Sequence, residues 1–466
     1  MTSSSSSIDT DVTKPLLSSG TSSPIHSSPS RPASCRSRHS SQTSTSRHNT
    51  SPFPSLSSLR TRTTAAMTSF FILGLFTSTI GVVLPYLESY YSLTDTQVST
   101  IFLAAPVGYI LASSLTSLVH LRLGQRGIAV IGPLFQILFA AGAAAHPPFP
   151  LLLVAVACGN FGAGLLDASW CAWAAGRENA NAVSGLLHGS YSAGAAVGPF
   201  VAGALLAGAR PWYHWYYVLL AFSLLELLFL PLAFRHEDAT RYRQDKNHYP
   251  NPSPESATLL AHARSLLTRP VIWASAAYLL TYAGTELAIS DWIVVYMLRA
   301  RHATPYLASM CSSSFWIGMA VGRFSLGPVT DRFGVRAAVV VYLLLGIASD
   351  LLFYAIDGSA AAVIIMAALG FWCGPLFPSA IVRLNASLPR ELHVPAVAFV
   401  ASVGQVGGAV LPFGLGVVAE RWGIGVFQGV IFVQMAASLG IWMVFPSGVE
   451  GTDDDGCHDV VEPVLA

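Results

Sequence analysis

The sequence predicts an all-α membrane protein, with twelve transmembrane helices in two pseudo-symmetric six-helix bundles. Three observations carry that reading. The chain of 466 residues is 53% hydrophobic and only 11% charged, with a mean hydropathy of +0.54, whereas a soluble globular chain carries about 25% charged residues. The apolar excess is gathered into runs of roughly 20 residues, the length that crosses about 30 Å of hydrocarbon. Local motifs recur about 210 positions apart. The composition excludes a soluble enzyme, a nucleic-acid binder and a secreted disulfide scaffold.

Residues 1–66 form a tail with 32 Ser or Thr, and seven Lys/Arg against Asp9 and Asp11. Such a segment cannot bury enough apolar area to offset chain entropy and is expected to be disordered and cytosolic. It has no apolar core before Met67 and does not read as a cleaved secretory signal. Its Ser-Pro and Arg-x-x-Ser stretches offer phosphorylation sites. The apolar runs follow at about 67–88, 97–119, 127–146, 150–175, 183–208, 213–234, 270–297, 305–326, 335–355, 360–384, 393–418 and 424–446. They define an N-terminal bundle at 67–235, a cytosolic linker at 236–269 and a C-terminal bundle at 270–446. Residues 447–466 are an acidic tail with Glu450, Asp453, Asp454, Asp455, Asp459 and Glu462.

Lys and Arg collect on the cytosolic side of multi-pass proteins. With the N-terminus cytosolic, 21 of the 25 fall on inside segments, Arg323 counted among them, and only Arg210, Arg299, Arg301 and Arg421 fall outside. Both termini are therefore expected in the cytosol, of a protein in the plasma membrane or an internal one. The N-x-S matches at Asn49 and Asn385 then face away from glycosylation. The six cysteines are scattered without a C-x-x-C pair and read as free thiols or small packing residues.

The repeat rests on two matches. Arg122-x-Gly124-x-Arg126 follows the second run, and Arg332-x-Gly334-x-Arg336 follows the eighth. Gly194-Ala-Ala-Val-Gly198-Pro199-Phe200 lies in the fifth run and Gly407-Gly-Ala-Val-Leu411-Pro412-Phe413 in the eleventh. Parallel six-helix repeats around one linker are a transporter architecture whose substrate site lies between the halves near the midplane.

Here the chain resembles the major facilitator superfamily. Gly327-Pro-Val-Thr-Asp331-Arg332-Phe-Gly334-Val-Arg336 matches that superfamily's G-x-x-x-D-R-x-G-x-R loop. The resemblance implies a cytosolic gate, with Asp331 pairing across the halves and Gly334 permitting the turn. In the first half Arg122 and Arg126 are kept, but Leu121 stands where the acid belongs. A narrower resemblance, to the fungal bypass-of-stop-codon branch related to fucose permeases, rests on several segments. These are Gly81-x-x-Leu84-Pro85-Tyr86-Leu87-Glu88, Phe161-Gly162-x-Gly164-x-x-Asp167-Ala168, Leu187-His188-Gly189, Tyr282-x-Gly284-Thr-Glu286 and Trp292-Ile293-Val294. It implies secondary transport of small solutes, with sugars and protons used by the bacterial relatives. The acid that group carries in its first span is missing, since Phe76 and Thr77 occupy the place.

A carboxylate inside hydrocarbon costs several kcal/mol unless paired, hydrated or protonated, so it is a functional candidate by default. Of those inside the runs, four are singled out: Asp167, Glu226, Glu286 and Asp291. Glu286, just past the middle of the seventh run, and Asp167, in the fourth beside Trp170 and Trp173, are the candidate proton or substrate ligands. His188 is a candidate relay. Asn160, Tyr191 and Gln405 are candidates to orient a hydroxylated ligand. Trp372 is a candidate stacking face, as are Trp170, Trp173, Trp292 and Trp316. Gly194, Gly198, Pro199 and Pro412 read as helix-packing and bending positions.

No Walker loop, zinc signature or Arg ladder occurs, and no cofactor or metal is expected. The expected activity is secondary transport of a small polar solute, a sugar among the candidates, by alternating access and with proton symport. The protein is expected to act as a monomer in the bilayer without nucleic-acid partners. The competing readings are a drug or metabolite exporter, and a nutrient receptor that keeps the fold and signals through its tail.

Overall fold

The computed structural model describes residues 59–175, 180–248, 267–388 and 392–445. The tail through residue 58, the acidic tail, most of the linker, Arg177 and Arg390 lie outside the described residues. Among the described residues there is no strand.

The first half comprises α1 (Leu59–Ser78), α2 (Ile80–Tyr91), α3 (Asp95–Ala144), α4 (Phe149–Ala175), α5 (Ala180–Ala207) and α6 (His214–Ala233). The linker helix α7 (Ala239–His248) follows. The second half comprises α8 (Pro270–Arg299), α9 (Pro305–Ser325), the short α10 (Gly327–Phe333), α11 (Val335–Ala355), α12 (Ser359–Cys373), α13 (Leu376–Ala386), α14 (His393–Trp422) and α15 (Phe427–Met443).

The described helices make twelve passes. α1 and α2 make one pass, broken at Thr79. α3 makes two, because Gly124 sits inside it at φ 70, ψ −170 and reverses the chain. α12 and α13 together make the tenth. Nine described helical stretches are long and apolar enough by themselves to cross a membrane. α8 and α9 are not among them, for α8 carries Glu286, Asp291 and Arg299, and α9 carries Arg323 and five serines. The passes that fall short in hydropathy are those whose polar residues are turned inward, as the site below makes plain.

Two boundaries differ from expectation. The first helix begins at Leu59, eight residues before the expected 67. Its added turns are polar, but Thr63 and Thr64 donate to carbonyls four residues back at 3.0 Å, and Arg62 is paired with Glu237. Within the linker, Asp238 accepts from the Arg241 N–H at 2.9 Å and so starts α7.

Within the first half α1 packs on α5 and α6, and α3 on α4 and α6; within the second, α8 packs on α14 and α15, and α12 on α9 and α11. Helices in lipid associate through close backbone approach rather than hydrophobic drive. A side chain at Gly194 would meet the Phe71 carbonyl oxygen at 1.9 Å, and one at Gly198 the Ser78 hydroxyl at 2.8 Å. Both therefore set the α1–α5 crossing. Pro199 and Pro412 lie inside α5 and α14, and the Pro412 carbonyl accepts from Trp292 Nε1 at 2.9 Å. Among the described residues the most extensive contacts between the halves are α5 with α9, α3 with α14, and α2 with α8.

Candidate functional site

The α5–α9 contact runs antiparallel over a long stretch. Gly203 faces Ser309, and Gly189 faces the Phe324 ring; fourteen residues of α5 separate the two points, about 21 Å of helix. Between them lies Arg323. It belongs to the last turn of α9, but helical Cα–Cβ bonds tilt toward the N-terminus, so its side chain turns back into the bundle. There Nη1 donates to Ser192 Oγ of α5 at 2.9 Å and Nη2 to Glu286 Oε1 of α8 at 3.3 Å. Arg323 is therefore an interior residue rather than the cytosolic loop charge that its position in the sequence suggests.

Facing this pair across the halves is a second set. The Tyr109 hydroxyl of α3 donates to Asp167 of α4. Cys171 Sγ is 3.5 Å from the other Asp167 oxygen and 3.9 Å from His188 Nε2. Tyr191 stands within electrostatic reach of Asp167, Glu286 and Arg323 and close to Thr77. His188 rests edge-on against Phe70 at 5.7 Å, yet remains solvent-exposed. The Tyr282 hydroxyl donates to the Cys373 carbonyl at 2.6 Å, next to Glu286. Counting 1.5 Å per residue from the end that carries Arg299, Tyr109, Asp167, Ser192, Glu286 and Arg323 all lie roughly 20–27 Å deep. They form one layer.

Of the expected site residues, Asp167, Glu286, His188 and Tyr191 thus come together. Asn160 donates its amide to the Val156 carbonyl of its own helix at 2.9 Å. Gln405 is exposed on the α14 face eleven residues, about three turns, before Gly416. Since a side chain at Gly416 would strike Ser99 of α3 at 1.8 Å, the halves touch at Gly416, while at Gln405 the same face is open. Trp372 stacks on Tyr342 at 6.4 Å and meets Phe371 edge-on at 4.9 Å, both of its own half. Trp170, against Phe234 at 4.3 Å with Nε1 on Ser69, and Trp292, bonded to Pro412, are buried packing residues. Trp316 lies 6.2 Å from Tyr191 and donates to Ser290 at 3.0 Å.

Glu226 is wholly buried beside Ser69, within the first half. Asp291 is buried where α8 crosses Gly81 of α2. A fifth intramembrane carboxylate, Asp350 of α11, is also buried and stands near Cys373. Its place inside the ninth apolar run is the signal that marks it, as a place inside the eighth marks Arg323.

The two ends of the bundle differ. At one, Arg299 of α8 pairs with Glu88 of α2 and, at 2.8 Å, with Asp95 of α3. The Glu420 carboxylate of α14 accepts from the Thr96 N–H at 2.9 Å, at the N-terminus of α3, where a carboxylate is favoured. At the other end Gly327, Asp331, Arg332, Gly334 and Arg336 are in place, with Gly334 at φ 82. Among the described residues Asp331 and Arg332 form no ion pair, and both are exposed. Arg336 reaches the Met443 carbonyl at 3.4 Å. In the first half Gly124 takes the same left-handed turn, at φ 70, between exposed Arg122 and Arg126. The four described cysteines are free.

The model of the Major Facilitator Superfamily matches residues 66–301 and 275–450. Bypass of stop codon protein 6 of Saccharomyces cerevisiae is 28% identical over 419 residues, covering 84% of this chain and 83% of that protein. Among solved structures, a point mutant of the nucleoside transporter NupG superposes with a TM-score of 0.66 at 13% identity, covering 82% of this chain and 98% of its own. A point mutant of the Escherichia coli fucose:proton symporter FucP does so with a TM-score of 0.57 at 16% identity, covering 83% and 98%.

Proposed function

The chain belongs to the Major Facilitator Superfamily and is a multi-pass membrane transporter of that family, and from that premise we propose that it moves a small polar solute by alternating access, coupled to protons. The observation that carries the proposal is the placement of Arg323, bonded at once to Glu286 of its own half and to Ser192 of the other. A part-buried ion pair within the membrane-spanning layer persists only while both partners are ionised. Protonation of Glu286 dissolves the pair and leaves Arg323 attached to the first half alone. The proton on Glu286 thus decides whether Arg323 is tied to its own half as well as to the other. The solute binds in the layer between Asp167 with its Tyr109 donor, Tyr191 and Ser192, a lining of hydroxyls and one carboxylate suited to a neutral polyhydroxylated molecule. The names of FucP, a fucose:proton symporter, and NupG, a nucleoside transporter, are consistent with that class.

The Arg299 end is the outer one and the Asp331 end is cytosolic. The bias of Lys and Arg supports this orientation and hardly changes when Arg323 is moved to the interior. The conformation is then read as inward-facing, with the outer rim closed by Arg299 and Asp331 of the cytosolic motif without an ion pair. Reconstituted in proteoliposomes, the protein should take up a tritiated monosaccharide or nucleoside from a panel faster when the outside is acidic. Glu286→Gln should retain binding and lose the pH dependence. Uptake of an identified substrate that ignores a pH gradient, in wild type and variant alike, overturns the proton coupling.

A further inference from the structure

Away from the transport layer, at the Asp331 end of the first half, a cavity of about 130 Å³ is lined by Arg62, Ala233, His236, Glu237 and Arg241. We propose that it binds a phosphate group, that of an anionic lipid headgroup. The cavity is where the linker folds back on the first half. Gly124, at φ 70, leaves no room for a side chain against Glu237 and Asp238, and the Arg126 N–H donates to the Glu237 carbonyl at 3.0 Å. Tyr242 of α7 stacks on His120 at 4.9 Å. The lining is therefore held by α1, α6, α3 and α7 together.

The charges and the depth favour an anion of this kind. Glu237 is already committed, to Arg62 and, at 3.4 Å, to Arg241. The Nε of Arg62 is buried without a hydrogen-bond partner, and such a donor normally finds one. Arg235 donates to His236 Nε2 at 3.0 Å, which leaves the His236 proton on Nδ1 as a further donor. Residues 59–63, 120–126 and 235–243 together hold seven arginines against Glu237 and Asp238, the density at which a juxtamembrane segment attracts anionic lipid. α6 is 20 residues long, about 30 Å, the thickness of the hydrocarbon. Its last residue, Ala233, lines the cavity, so the cavity opens at the level of the headgroup phosphates.

The test uses the full chain purified in a neutral detergent, followed by thermal unfolding with dihexanoyl phosphatidic acid, dihexanoyl phosphatidylcholine or inorganic phosphate. Phosphatidic acid should raise the Tm, and phosphatidylcholine should not. Arg241→Ala, at a half-exposed position that the fold tolerates, should weaken the apparent affinity about tenfold, as loss of one charge-assisted bond does. Arg62→Lys keeps the charge for Glu237 but removes Nε, and should weaken it as well. Stabilisation by inorganic phosphate at the same concentration, lost in both variants, upholds the phosphate site and assigns it to a free ion. Equal stabilisation by phosphatidylcholine, or a phosphatidic acid response that survives both substitutions, overturns the proposal.

Discussion

Two arginines of the second half reach the first, and they do so by different means. Arg299, at the rim, has both of its carboxylates, Glu88 and Asp95, on the opposite half. Arg323, in the interior, has its carboxylate, Glu286, on its own half and only a hydroxyl, Ser192, on the other. Every ion pair of Arg299 is thus lost when the halves part at that end. The ion pair of Arg323 survives such a movement, and only one hydrogen bond does not. The rim arginine reports which way the molecule faces. In the proposed mechanism the interior arginine responds to the proton on Glu286.

The largest effect is expected from breaking the interior pair on one side. Arg323→Ala leaves Glu286 as an uncompensated carboxylate and should lower stability by about 3 kcal/mol, read as a fall in Tm, and abolish uptake. Combining it with Glu286→Gln should restore most of the Tm but not the uptake, which separates the charge from the packing. Next comes the rim. Arg299 is a third exposed, so Arg299→Ala should cost about 1 kcal/mol or less in stability. It should nevertheless raise the labelling rate of a cysteine placed at Tyr109, measured from the Arg299 side. Unchanged labelling would show that the rim pairs do not hold that end shut. A smaller change is expected from salt: raising ionic strength from about 0.1 to 1 M shortens the screening length from about 10 to 3 Å. The same labelling should therefore increase severalfold in wild type and much less in Arg299→Ala. The smallest effect is predicted for Asp331→Asn, where no ion pair exists among the described residues; stability should change by no more than about 0.5 kcal/mol, whereas turnover, which requires that end to close, should fall.

Much of this is legible in the sequence for reasons that are physical. The passes follow from apolar runs, with the two polar ones, α8 and α9, placed by the repeat, and Gly124 and Gly334 mark corresponding turns because only glycine enters a left-handed conformation freely. Asp167, Glu286, His188 and Tyr191 stand out because polar groups are costly in lipid. The partners are harder to see. Tyr109, Cys171 and Ser192 look unremarkable along the chain, and they matter only because α3, α4 and α5 converge. Arg323 misleads for a more specific reason. An arginine two residues from a helix end looks like a loop charge, and only the inward tilt of its side chain makes it an interior one. The helical start at Leu59 is hidden because its support comes from Glu237, 175 residues away.

The docked linker has one further consequence. α7 is fixed to the first half, and residues 249–266, outside the described residues, join it to the second. Those 18 residues could span up to about 60 Å if extended, more than a rocking motion of two bundles consumes. Covalent continuity there is not needed to hold the bundles together, and the chain could be interrupted within it and supplied as two polypeptides. The fragments would find each other through the α5–α9, α3–α14 and α2–α8 seams, a transporter assembled from separately made halves.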